Sequence, residues 1–110
     1  MIHILDEIPL APARLAPVLE ALERLYLPAC AARGLTLEQR WVSPPVAVPG
    51  QSNTLWLLWQ VADVWAYYAM RSTAGDEVRA FWDLVEADCD GRRRHVLGPA
   101  GNSLEAPHVE

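Results

Sequence analysis

One stretch of this chain limits its fold more than any other: "TLWLLWQV", residues 54 to 61. Side chains of a strand alternate between two faces, so Leu55, Leu57, Trp59 and Val61 point one way and Trp56 and Leu58 the other. Both faces are apolar. A strand with one face in water would alternate apolar with polar residues, so both faces of this one call for burial.

The neighbouring segments supply the rest of such a sheet. "MIHILDEI" is an isoleucine-rich first strand over about residues 2 to 8, ended by Pro9 and Pro12. From Ala13 to Arg33, residues Leu15, Val18, Leu19, Leu22, Leu25, Tyr26 and Ala29 recur at steps of three and four, the stripe of an amphipathic helix. Pro12 suits its first turn, Gly34 suits its C-terminal cap, and Pro28 should kink its last turns. "LTLEQRWV", residues 35 to 42, alternates Leu35, Leu37, Gln39 and Trp41 against Thr36, Glu38, Arg40 and Val42, as a second strand does. "SPPVAVPGQSN" is a loop, long for a hairpin connection. After the third strand, Asp63 can cap a helix through Val64, Trp65, Tyr68 and Arg71, "STAG" breaks it, and Asp76 restarts a helix carrying Val78, Phe81, Trp82 and Val85. Gly91 closes that segment and "RRRHVL" is a short fourth strand. Residues 1–97 thus form one domain, and residues 98–110 read as a mobile C-terminal tail.

The order β-α-β-β-α-β is the ferredoxin-like α+β arrangement: a four-stranded antiparallel sheet in the order 4-1-3-2, with helices on one face only. The other face is bare. The doubly apolar third strand therefore predicts a partner sheet, and with it a sheet-to-sheet homodimer.

Composition removes several function classes. A formal net charge of -5 gives no basic surface for a phosphate backbone, and Arg92-Arg93-Arg94 is too short a run to change that, so nucleic acid is not an expected partner. All nine basic residues are arginines, which excludes Schiff-base and phosphate-loop chemistry that needs a lysine amine. Cys30 and Cys89 stand far apart and read as small apolar residues of a reducing compartment. No basic region with a long apolar run opens the chain, and no stretch approaches the roughly 20 apolar residues that span a bilayer, so a cytoplasmic protein without a membrane partner is expected.

With these elements the chain resembles the dimeric α+β barrel superfamily, and within it the NIPSNAP-type and antibiotic-biosynthesis-monooxygenase-type small proteins. The likeness rests on "EIPLAPARLAPVLEAL", "YLPACAARGLTLEQRWVS" and "NTLWLLWQVADVWAYYAMR", and covers about residues 2 to 97 as a pattern of elements with few diagnostic positions. It implies a homodimer and a range of activities: cofactor-free oxygenases of aromatic polyketides, lactone isomerases, cyclases, haem enzymes and members without established activity. No motif here asks for haem, and neither a cofactor nor a metal is expected.

The candidate site residues follow from types and topology. Trp41, Trp56, Trp59, Trp65, Trp82, Tyr67 and Tyr68 could line a pocket between sheet and helices that takes a planar apolar ligand, or be core and dimer interface. Tyr67 and Tyr68 lie about 100° apart on a helix and cannot face one site together. The start of strand 1 meets the ends of strands 3 and 4, which brings His3, Gln60 and His95 to one edge of the sheet, where a histidine could move a proton at neutral pH. Tyr68 or Arg71 could stabilise an oxyanion, and Glu38 and Arg40 share a face of strand 2. The expectation is a small cofactor-independent enzyme acting on an apolar cyclic or aromatic metabolite by oxygenation, isomerisation or cyclisation. In it His3, His95, Tyr68 and Arg71 are catalytic, and Trp41, Trp56, Trp59, Gln60, Tyr67 and Trp82 bind substrate. The alternative is a non-catalytic small-molecule-binding or accessory dimer.

Overall fold

In the computed structural model, which describes residues 1–101, four strands pair in the order β2-β3-β1-β4, all antiparallel. They are β1 (Ile2–Leu10), β2 (Thr36–Ser43), β3 (Asn53–Val61) and β4 (Arg93–Leu97). This is the predicted sheet read from its other edge, with the helices α1 (Pro12–Ala21), α2 (Leu27–Cys30), α3 (Val64–Ser72) and α4 (Asp76–Asp88) in the predicted places. Residues 102 to 110, most of the expected tail, lie outside the described residues.

β3 is central, as the predicted 4-1-3-2 order requires. Its odd residues Leu55, Leu57, Trp59 and Val61 are buried with Ile4, Ile8 and Leu10 of β1 beneath the helices. There they meet Val18 and Leu22 from the first helical run and Val78, Phe81 and Val85 from α4. The even residues Trp56 and Leu58 point to the other face and are half-buried.

β1 runs two residues further than expected, through Pro9. Proline has no backbone donor to give, and Pro9 needs none: β4 pairs β1 only as far as Glu7, and the carbonyl of Pro9 accepts from Asp90 N at 3.1 Å. The stretch from Pro12 to Arg33 is one helical run of changing pitch. It widens to a π-turn over Leu22–Tyr26, where Leu27 N reaches back to Leu22 O, and ends as a 3-10 turn over Ala31–Arg33. The widened turn ends two residues before Pro28, which has no amide hydrogen and whose ring would crowd the carbonyl one turn back. Gly34, at φ 69°, supplies the left-handed residue that ends the run.

β2 departs from strict alternation. Leu37 faces Trp59 and Gln39 faces Leu58, so Glu38 has no opposite residue and forms a bulge. Leu37 and Trp41, expected on one face, therefore lie on opposite faces, and so do Glu38 and Arg40. Arg40 turns to the helix side, where its Nη1 is 3.0 Å from Glu23 Oε1, and Glu38 turns to His3 instead.

Candidate functional site

Asp6 is the buried acid of the structure. In "IHILDEIPL" it shares its phase with Ile4 and Ile8, so the alternation that buries them carries a carboxylate into the core at 1 % exposure. Such a charge is tolerable only with partners. Arg94, its β4 neighbour across the ladder, grips it through Nε to Oδ1 at 2.7 Å and Nη2 to Oδ2 at 3.0 Å, and Trp59 Nε1 donates to Oδ2 at 3.0 Å. Burial alone would lower the Arg94 pKa. The Asp6 hydrogen bonds and charge, with a smaller contribution from Tyr26, outweigh it and hold Arg94 above its ordinary value.

Arg94 also reaches the surface, in a cleft of about 230 Å³ between the helices and the start of β4. Val78 and Trp82, one turn apart on α4, form its apolar floor with Met70 and Ala74. Four of the nine arginines close it: Arg33, Arg71, Arg92 and Arg94. Arg33, from the 3-10 turn, donates through Nε and Nη2 to the Met70 carbonyl at 3.3 and 3.0 Å. The Arg92 guanidinium lies 4.1 Å above the Trp82 ring and bonds Glu86 Oε1 through Nε at 3.1 Å and Nη2 at 3.0 Å. Arg71 is exposed, 5.9 Å over the Tyr67 ring, with no acid paired to it among the described residues. Behind the floor, Tyr26 packs between Trp59, Phe81 and Trp82 at centroid distances of 5.0, 5.1 and 5.5 Å. The adjacent Cys30 thiol, which donates to Tyr26 O, is pushed up to about 11 by burial, against a smaller opposing pull from Arg33.

The expected site residues divide among three places. Arg71 and Trp82 line this cleft, and Tyr67 lies beside it, buried at 8 % exposure. Tyr68 turns outward at 55 %, so the two tyrosines part as the helical geometry requires. Trp59 is wholly enclosed and its indole N–H is committed to Asp6, which corrects its expected role as a ligand-facing residue. Trp82 is corrected in part, because Arg92 covers a face of its ring.

His3, His95, Gln60, Trp56 and Trp41 all lie on the sheet face without helices, so a pocket between sheet and helices does not include them. There His3 Nδ1 is 2.6 Å from Glu38 Oε1, Gln60 pairs with His3 across β1 and β3, and His95 Nε2 makes a long 3.4 Å contact to Glu7 Oε1. Trp41 is half exposed beside Trp56. Asn53, buried at the start of β3, donates to the carbonyls of Pro44 and Val46 at 2.9 and 3.2 Å, and so anchors the loop as a turn residue. Among the described residues, no group of three His, Cys, Asp or Glu side chains is placed to hold a metal ion. No helix of the structure is long and apolar enough to cross a membrane.

Residue-level reasoning missed Asp6, Tyr26, Arg33, Arg92 and Arg94. The phase of Asp6 with Ile4 and Ile8 was the available signal.

Comparison with solved structures matches this geometry. A NIPSNAP domain protein from Burkholderia xenovorans superposes with a TM-score of 0.71 over 96% of this chain and 100% of its own, at 16% identity. The fold it shares with this chain is the ferredoxin-like α+β fold. A NIPSNAP family protein from Agrobacterium tumefaciens matches at TM-score 0.66 and 12% identity over 94% of this chain and 98% of its own. A Nitrosomonas europaea protein provisionally described as an antibiotic biosynthesis monooxygenase matches at 0.65 and 12%, over 91% and 99%. No family model matches the sequence, and no curated protein does either.

Proposed function

We propose that the protein is a small enzyme working without a resident cofactor on a mainly apolar cyclic or aromatic metabolite, in the cleft between α3, α4 and β4. The observation that carries this reading is Arg71: a guanidinium without an acidic partner among the described residues, at the rim of an apolar floor made by Met70, Ala74, Val78 and Trp82. Oxygenation, isomerisation and cyclisation of such rings share one demanding step. A proton leaves a carbon next to a carbonyl, or a phenol, and the electron pair comes to rest on oxygen. A fixed cation at that oxygen lowers the barrier to all three. Among the described residues the cleft lining holds no carboxylate or imidazole, and His3 and His95 are across the sheet, so this reading takes a substrate acidic enough to lose its proton to water once its anion is held. The name carried by the monooxygenase-like neighbour supports oxygenation as the first of the three to assay.

Oxygen uptake and product analysis with a panel of hydroxyaromatics and cyclic ketones test the proposal. Arg71→Ala should cost roughly 10²-fold to 10³-fold in turnover, the effect of removing one oxyanion partner, while His3→Ala and His95→Ala stay near wild type. Undiminished turnover in Arg71→Ala rejects the mechanism. The lack of an acid or base in the lining favours one second reading, a binding or accessory protein, for which ligand binding without conversion is the signature.

In either case we propose that the protein is a homodimer joined through the bare sheet face, where Leu5, Trp41, Trp56, Leu58 and Leu97 leave an apolar surface around the His3–Glu38 pair. Light scattering should give twice the chain mass, and Trp56→Glu should return it to the monomer. A wild-type monomer at micromolar concentration contradicts the dimer.

A further inference from the structure

The arginines of the cleft are arranged alike. Arg33, Arg92 and Arg94 each spend Nε and Nη2 on a protein acceptor: the Met70 carbonyl, Glu86 and Asp6. In Arg33 and Arg92 the Nη1 group makes no hydrogen bond to a described residue, and that of Arg33 is buried. Tyr26 is wholly enclosed behind them, beside Arg94 and with the Arg33 guanidinium 5.4 Å over its ring. Arg71 adds a guanidinium with no acid at all among the described residues. Among the described residues Asp6 and Glu86 are the acids paired with these four cations, so two positive charges face a cleft whose described lining contains no acid, in a chain whose formal charge is -5.

An apolar ring alone gives such a cluster nothing to bind. Guanidinium groups held near one another repel, and an anion placed among them recovers that cost through charge-assisted hydrogen bonds. We infer that the ligand of this cleft carries a doubly charged oxyanion, a phosphate monoester or a pair of carboxylates, on a small ring that rests against Met70, Ala74 and Val78. The volume of about 230 Å³ is below the roughly 300–1,000 Å³ of sites for drug-sized ligands, which limits the ring to one or two cycles. Arg71 closes on the outer oxygens, and Arg92 and Arg94, whose side chains keep 28% and 20% of their surface exposed, meet the inner ones. The inference rests on the cleft being the functional site and names the class of molecule that enters it.

Calorimetric titration of the full chain with phenyl phosphate, phthalate, benzoate and benzamide tests it near neutral pH. Phenyl phosphate or phthalate should bind, benzoate should bind roughly tenfold or more weakly, and benzamide should give no heat. Whichever dianion is tighter tells phosphate from dicarboxylate. Raising the salt concentration should weaken the dianions. Arg71→Ala should weaken them roughly tenfold to a hundredfold, with partial recovery in Arg71→Lys. Arg40→Ala, whose guanidinium is paired with Glu23 away from the cleft, should bind as wild type does. Benzamide binding as tightly as phthalate, dianion affinity unchanged in Arg71→Ala, or no dianion binding overturns the inference. Binding is read apart from turnover. Conversion of a neutral cyclic ketone with no dianion binding would sink only the charge, and dianion binding without conversion of any substrate would sink only the enzyme.

Discussion

The two faces of this sheet carry the same kind of interaction under opposite conditions. Beneath the helices, Asp6 is held by Arg94 and Trp59 at 1 % exposure; on the bare face, His3 meets Glu38 with their side chains 37% and 26% exposed. The buried pair has lost its water, so each partner depends on the other for the solvation it gave up. In the isolated protomer the outer pair keeps water within reach, and its attraction is screened. A short contact distance is therefore a poor guide to importance: 2.6 Å outside is worth less than 2.7 Å inside.

The comparison breaks first at Asp6. Asp6→Asn keeps the shape, strands the Arg94 charge and sets an amide N–H₂ against its guanidinium. The expected loss is about 3–5 kcal/mol, read as a lower urea midpoint at unchanged slope. A loss below about 1 kcal/mol would put the inner pair in the class of the outer one.

Cys30 sharpens the contrast through pH. Its folded value, about 11, exceeds the reference of 9.0, so the protonated thiol contributes stability that is fully present below about pH 9 and is lost as pH rises through 11. The decline amounts to roughly 2–3 kcal/mol. Denaturant midpoints for wild type and Cys30→Ala across this range should converge as pH rises; parallel curves would show that burial does not govern the thiol.

The smallest effect belongs to the outer pair. His3→Gln should change protomer stability by about 0–1 kcal/mol, measured in Trp56→Glu so that assembly does not enter. A change above about 2 kcal/mol would mean that the bare face holds the protomer together as the covered one does.

Much of the fold was legible because it is local. The alternation of β3, the Asp63 cap whose carboxylate accepts from Ala66 N at 2.8 Å, and the Gly34 terminus each announce themselves within a few residues. The strand order followed from element order alone. The cleft was not legible, because its parts meet only through the tertiary fold: Arg94 is 88 positions from Asp6, and Arg33 is 37 from Met70. The aromatic residues drew attention as ligand walls. In the structure Trp59 and Trp82 instead hold polar and charged groups in place, Trp59 by its N–H on Asp6 and Trp82 by its ring under Arg92.

The unpaired Glu38 in β2 works like a frame shift. Before it, even-numbered residues of the strand look outward; after it, odd-numbered ones do, and Trp41 is on the outside by virtue of that single count. Had the strand kept strict step, Trp41 would lie beneath the helices beside Leu55, and Arg40 would stand on the bare face without Glu23. The position of one residue with no opposite number thus decides which side of the sheet has a tryptophan and which has a cation. Deleting residue 38 would close the bulge with Trp41 still opposite Trp56 and Arg40 still opposite Leu57, whereas drawing Glu38 into the ladder would exchange them.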